Sequence, residues 1–313
     1  MKIEGGQTVP SPTAPPPASR GDRPPTGWRM WLLAVRPRTL TIALSPVLVG
    51  AASAWGEFAD FRPLPLLAAL IGAILIQAGT NLWNDLGDAM RGGDQPMRQG
   101  PPRVTALGWA APGRVRRAAR LCFALAATVG LYLAWVGGWP ILVLGAASLL
   151  AGWAYSGGPR PIAYTALGEL FVVAFFGVGA VAGTVWLQAG QLSPAVILLG
   201  TAVGLPAAAV LMANNYRDLE ADRMVGRRTL AIRLGTDGSR GAYAAMMLAP
   251  FPLLMIPAAP SFGWLALLAA PMAVRLILAF ATQPRGPAFN AILGATARFQ
   301  VFLALLMAAG CLL

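Results

Sequence analysis

Histidine is absent from this 313-residue chain. That absence removes imidazole general-base catalysis, His-ligated metal centres and Ser/His/Asp triads. Cysteine is almost absent: Cys122 and Cys311 are the whole complement, far apart and both in apolar segments. They are too few for a thiolate metal cluster, suggest no disulfide framework, and read as lipid-facing or core packing residues. Charge is scarce as well, at 12% of residues against 57% hydrophobic, a balance that excludes an ordinary soluble domain. The chain is expected to be an integral membrane protein whose chemistry falls to carboxylates, amides, tyrosines and arginines. A net charge of +12 on its own is compatible with a nucleic-acid partner. The basic residues, almost all arginines, instead cluster in short segments between apolar runs, as topology and anion-binding signals do. The start of the chain, with "TVPSPTAPPPASRGDRPP", is rich in Pro, Ser and Thr and has no apolar h-region. Residues 1–27 therefore read as a disordered cytoplasmic tail, neither signal peptide nor helix.

What the chain has in quantity is apolar sequence. A span of about 20 residues crosses roughly 30 Å of hydrocarbon. Nine stretches qualify over residues 28–313: 39–55, 64–83, 118–136, 139–155, 167–187, 194–212, 242–258, 262–281 and 291–313. "GGWP" and "PAAPSFG" read as tight turns after the third and seventh, and the loops after the second and sixth are long and polar. The expected fold is all-α, a polytopic bundle of nine transmembrane helices. Arginines flank the N-terminal side of the first span and fill the even-numbered loops, whereas only Arg62 lies on the other side, beside Glu57 and Asp60. The positive-inside rule then places the N-terminus and those loops in the cytoplasm and the C-terminus outside.

Against this sparse background, "NLWNDLGDAMRGGD" puts Asp85, Asp88 and Asp94 at the cytoplasmic edge of the second span. If that helix continues through the motif, Asn81, Asp85 and Asp88 share a face, with Asn84 beside them. Stacked like charges destabilise a helix unless a cation sits among them. After the sixth span, "NNYRDLEAD" repeats the arrangement with Asn214, Asp218 and Asp222 at i, i+4 and i+8 and Asn215 adjacent. Acids at helix ends can be merely solvated, but two matched clusters holding five of the 12 acidic residues favour a site in two halves. Hard oxygen donors without Cys or His suit magnesium, which keeps waters and shares substrate phosphate oxygens. The surrounding Arg91, Arg98, Arg103, Arg160, Arg223, Arg227 and Arg228 would repel a bare metal but clamp an anion. Carboxylates and arginines together imply a magnesium-bound diphosphate. Arg98, Arg103, Arg160 and Arg223 are the preferred contacts, each otherwise a positive-inside anchor.

A diphosphate at the mouth of an apolar bundle points to an isoprenyl diphosphate. Here the chain resembles the UbiA-type intramembrane aromatic prenyltransferases, whose two aspartate-rich motifs correspond to "NDLGDAMRGGD" and "NNYRDLEAD". Further stretches, "WLLAVRPRTL", "RQGPPRVTALG", "YSGGPRPIAYTALGEL" and "NAILGATARFQ", make it most similar to the 1,4-dihydroxy-2-naphthoate polyprenyltransferase branch of menaquinone biosynthesis. The resemblance covers residues 31–313. It implies that Mg held through Asp85, Asp88, Asp218 and Asp222 helps diphosphate leave. The prenyl chain would replace the ring carboxylate of 1,4-dihydroxy-2-naphthoate, with loss of carbon dioxide, giving demethylmenaquinone. Asp94 matches the family's third acid and could hold a second metal or orient its loop, with Glu169 a weaker candidate. Asn81, Asn84, Asn214 and Asn215 would ligate or orient the carboxylates. Tyr155 and Tyr164 could face the carbocation or the acceptor, or anchor the membrane interface. Arg298 could pair with an acid or with the acceptor's carboxylate. The resemblance also implies a multi-pass protein of the bacterial inner membrane. Two departures stand: "QPMRQGPPR" matches the family pattern only loosely, and the tail has no counterpart. Other acceptors (4-hydroxybenzoate, homogentisate, haem, chlorophyllide) would share the fold. A cation-coupled transporter would instead place acids mid-span beside a pore.

Overall fold

The structure, a computed structural model, describes residues 25, 27–91, 99–100, 102–256 and 263–313, and leaves out the Arg38 side chain. The tail through residue 24, Asp94, Arg98 and most of "PAAPSFG" lie outside the described residues. Every regular element among those described is helical: α1 (Trp28–Val35), α2 (Pro37–Phe58), α3 (Pro63–Met90), α4 (Pro112–Gly137), α5 (Trp139–Ser156), α6 (Gly168–Val173), α7 (Ala180–Ala189), α8 (Pro194–Arg217), α9 (Leu219–Met224), α10 (Leu230–Leu248), α11 (Pro250–Leu254), α12 (Ala270–Thr282) and α13 (Phe289–Leu312). Prolines open many of them, because the fixed φ suits a first turn whose N–H groups have no intrahelical partner. α6 and α7 are joined by a π-helical turn, Ala174–Gly179, and α12 is preceded by a 3₁₀ turn, Gly263–Ala269. "GGWP" makes the expected sharp turn, with Gly138 at φ 72° between α4 and α5.

Among the described residues, eight helical stretches are long and apolar enough to cross a membrane. The difference from nine lies at the seventh expected stretch. α10 carries Arg233, Asp237 and Arg240, is broken at Gly235, and leads into the short α11. α3 also runs past its expected end at Trp83 to Met90, so Asp85 and Asp88 of the first acidic motif are helical.

α8 is the axis of the bundle: 72% of its most apolar stretch is buried, against 17% for α4 and α5, which present leucines outward. Apolar side chains gain nothing by leaving lipid, so close packing must hold α8 in place. Gly177, Gly200 and Gly204 supply it. A Cβ at Gly200 would lie 2.6 Å from the Val178 Cα, so only glycine lets α8 lie against the π turn. At the far end of α8, Tyr216 meets Phe280 with ring centroids 4.6 Å apart, and Phe280 stacks on Tyr243 at 4.0 Å. Tyr243 Oη and Thr296 Oγ1 share a hydrogen bond of 2.7 Å. These contacts fix the residue next to Arg217 and Asp218 against α10, α12 and α13.

Candidate functional site

α2 to α8 enclose a cavity of about 530 Å³. The antiparallel run of the helices sorts its walls. Arg36, Asn81, Asn84, Arg103, Asn214, Asn215 and Arg227 line one end, and Leu131, Leu133, Ile141 and Leu187 line the other. One end can take a charged head and the other an apolar chain. Arg36 reaches the polar end from a left-handed backbone turn between α1 and α2, at φ 57°. A non-glycine residue in that region is held there by its surroundings and is a pointer to function.

Because α3 continues to Met90, Asn81, Asp85 and Asp88 are buried on successive turns of one helix. Their partners differ. Asp85 accepts the backbone N–H groups of Val104 (3.0 Å, Oδ2) and Thr105 (3.0 Å, Oδ1), so its carboxylate pins the loop before α4. That loop carries Arg103, which pairs with Asp88 and donates to the Asn84 carbonyl at 3.0 Å. Asn81 donates to the Val35 carbonyl (2.7 Å) and Thr39 (2.9 Å) and accepts from Gln77 (3.1 Å), tying the α1–α2 junction to α3. Asn84 donates to Ser156 at 2.7 Å.

The second motif breaks helical geometry at Asp218 (φ −94°, ψ 14°), between α8 and α9. The i to i+4 hydrogen bonds nevertheless continue, from Asp218 N to Asn214 O (3.2 Å) and from Asp222 N to Asp218 O (2.8 Å). Asp218 receives a bidentate pair from Arg217, Nε at 3.0 Å and Nη2 at 2.5 Å. Arg217 also reaches Asn290 at 2.6 Å and Asn214 at 2.9 Å, binding α8 to α13. Asn215 donates to the buried Glu169 at 3.0 Å.

The two motifs meet at Arg227. Its Nη2 lies 2.6 Å from Asp88 Oδ1 and its Nη1 lies 3.0 Å from Asp222 Oδ1. The guanidinium carbon stands 4.7 Å from the Tyr164 ring centroid, and Arg91 approaches the same ring at 5.8 Å. Burial pulls the Arg227 pKa down, but the Asp88 and Asp222 carboxylates outweigh it and raise the value, so the side chain remains a cation.

Tyr155 lines the cavity, as expected of an acceptor or carbocation contact, and Tyr164 serves as the platform beneath Arg227. Arg160, Arg223 and Arg298 are exposed and are not among the cavity's lining residues. The "SGGPRP" turn is held instead by Arg91, which donates to Ser156 O at 2.6 Å and Gly158 O at 2.9 Å. Arg36, Gln77, Ser156, Arg217 and Asn290 were not singled out by the motifs. Arg217 sits inside the second motif, but it reads as one more loop arginine until its pairing with Asp218 is seen. No group of three or more acidic or cysteine side chains among the described residues could hold a metal ion by itself. A donor set of two converging carboxylates with amide oxygens nearby fits a magnesium ion that takes its remaining ligands from water and phosphate.

Comparison with known proteins agrees with this architecture. The model of the UbiA prenyltransferase family matches residues 43–306. The 1,4-dihydroxy-2-naphthoate octaprenyltransferase of Escherichia coli is 41% identical over 78% of this chain and 82% of that one. The enzyme of the same name from Mycobacterium leprae is 33% identical over 89% of this chain and 94% of its own. Among solved structures, a UbiA homolog from Archaeoglobus fulgidus bound to DMAPP and Mg²⁺ superposes with a TM-score of 0.62 at 16% identity, covering 90% of this chain and 98% of that one. The apo structure of a UbiA homolog from Aeropyrum pernix gives 0.63 at 16% identity, over 88% and 97% of the two chains. An all-helical bundle with two aspartate motifs converging on one cation, and a family model matching residues 43–306, lead to one statement: this multi-pass membrane protein belongs to the UbiA prenyltransferase family.

Proposed function

We propose that this chain transfers a polyprenyl group from an isoprenyl diphosphate to 1,4-dihydroxy-2-naphthoate, releasing diphosphate and carbon dioxide and forming the hydroquinone demethylmenaquinol, the reduced form of demethylmenaquinone. The observation that carries the reading is the meeting of Asp88 and Asp222, from separate motifs, at one cation beside the polar mouth of an apolar cavity. The names of the bacterial relatives supply the acceptor.

Asp88 and Asp222 would hold magnesium, with Asp85 and Asp218 keeping the two motifs in position and Asp94 a further acid of the first motif. When bound, magnesium neutralises the diphosphate and stabilises it as a leaving group. Arg103, Arg227 and Arg36, which line the cavity, would contact the diphosphate oxygens. Asn81, Asn84, Asn214 and Asn215 fix the walls around that head, and the apolar end receives the isoprenoid. Positive charge develops at the allylic carbon as its C–O bond breaks. Tyr155, which lines the cavity, would face it, and the apolar wall would exclude the water that otherwise captures it. The acceptor ring attacks the allylic carbon, and the ring carbon that gains the prenyl group loses its carboxylate as carbon dioxide. No strong base is required, which accords with a chain lacking histidine. The arginine distribution supports a cytoplasmic mouth in a bacterial inner membrane. α10 and α11 together form the ninth crossing.

The test is an acceptor-resolved assay in purified membranes with a prenyl diphosphate. Product should form from 1,4-dihydroxy-2-naphthoate, should require magnesium and should vanish on chelation. Product from 4-hydroxybenzoate alone would overturn the acceptor assignment, and undiminished turnover after chelation would overturn the metal.

A further inference from the structure

Arg227 lies in the short segment between α9 and α10, just after Gly226, which takes φ 74°. Its backbone N–H donates to the Asp222 carbonyl at 3.0 Å, and the neighbouring Arg228 N–H donates to the Tyr164 carbonyl at 2.9 Å. The turn is thus fastened at both residues, while the Arg227 side chain, 10% exposed, reaches across to α3. Its two terminal nitrogens divide between Asp88 Oδ1 (2.6 Å) and Asp222 Oδ1 (3.0 Å). A divalent ion held by those same two oxygens would need them about 2.1 Å away. A guanidinium and a metal ion cannot both sit between one pair of carboxylate oxygens at these distances. Charge adds to the conflict: a bare ion arriving here meets Arg227 and Arg103, both already paired to Asp88. A metal diphosphate brings the opposite sign to the same arginines.

We propose that Arg227 is a latch with two docking positions. In one it bridges Asp88 and Asp222 and denies the pair to divalent cations. In the other it has moved over the face of Tyr164 onto the diphosphate oxygens, leaving the carboxylates to the metal. The Tyr164 ring, 4.7 Å from the guanidinium, contacts the cation throughout and eases that move. Arg227 lines the cavity, so the diphosphate end of a bound substrate lies within reach of the second position. The consequence is ordered loading: the protein takes up metal together with diphosphate and ignores free metal. Arg227 is then a positioning residue as well as an anion contact. The inference rests on the metal–diphosphate reading above.

The experiment is Mn²⁺ binding to the purified full chain in detergent, read by electron paramagnetic resonance, with and without an unreactive thio analogue of geranyl diphosphate. Without the analogue, Arg227→Gln should bind Mn²⁺ about 10- to 100-fold more tightly than wild type, the range set by removing two charge-assisted hydrogen bonds that compete for the carboxylates. Arg227→Lys, with one nitrogen in place of two, should fall between them, and decides the matter if the glutamine variant does not fold. With the analogue the order should reverse, because the variants lack its second contact. Equal Mn²⁺ affinity of wild type and both variants without the analogue overturns the latch while leaving the site reading intact. Failure of wild type to bind Mn²⁺ even with the analogue overturns the site reading, and the latch with it.

Discussion

The first and second acidic motifs are alike in spacing and unlike in how they are held. In each, one aspartate is committed to structure and the next faces the shared cation: Asp85 and Asp218 anchor, Asp88 and Asp222 meet at Arg227. The anchors differ in kind. Asp85 is satisfied by two backbone N–H groups of a loop, whereas Asp218 is satisfied by a buried guanidinium wired to Asn214 and Asn290. The first anchor orders a loop that delivers Arg103. The second locks the end of the central helix to α13. Identical residue types thus act as strut or as partner of the shared arginine according to the donors the fold places around them.

That division of labour can be broken by substitution. The largest effect on turnover is expected at the cation-facing pair: Asp88→Ala or Asp222→Ala should lower prenyl transfer by about 10³-fold or more per folded molecule in detergent, alongside a loss of stability from the arginines left unpaired. Next comes Arg217→Gln, which leaves Asp218 buried without its counter-ion and should destabilise the protein by about 3–5 kcal/mol in denaturant titrations. Asp85→Ala should lower activity by about 10- to 100-fold, as losses of orienting groups do, with faster hydrogen exchange at residues 103–110. An unchanged exchange pattern with a raised magnesium requirement would instead make Asp85 a ligand and erase the contrast between the motif's two acids. The smallest change is expected for Arg160→Ala and Arg223→Ala, whose exposed side chains should alter turnover by no more than about 2-fold.

The sequence made the fold class and the two motifs legible because lipid imposes a strict rule on spans and because acids are so rare that five aspartates at two helix ends stand out. The continuation of α3 through Asp88, past the expected end at Trp83, enters the sequence reading only as a condition. The roles within each motif were not legible. Asp85 and Asp88 are both helical, buried aspartates three residues apart, and only the loop returning at Val104 and Thr105 separates the strut from the acid that faces Arg227. The arginines were harder still. Arg227 and Arg228 are neighbours, yet one bridges both motifs and the other is exposed, a difference set by the Gly226 turn and the Tyr164 ring. Arg223 is preferred in sequence for its nearness to the second acidic motif and Arg160 for its Gly/Pro-rich turn, and neither feature brings the side chain to the cavity wall. The seventh stretch escaped for a related reason: its apolar half reads as a span, while the kink at Gly235 and the charges before it divide the segment.

The central claim is that Asp88, at the end of α3, and Asp222, on the short α9 that follows α8, form one site. It is tested most directly by Mn²⁺ binding in the presence of an unreactive prenyl diphosphate, measured on wild type, Asp88→Asn and Asp222→Asn. A single divided site predicts that either substitution alone weakens this diphosphate-dependent binding by about 100-fold, within the range expected for losing a metal-directed carboxylate. Undiminished binding in either variant would show that the two aspartates work independently and would contradict the account.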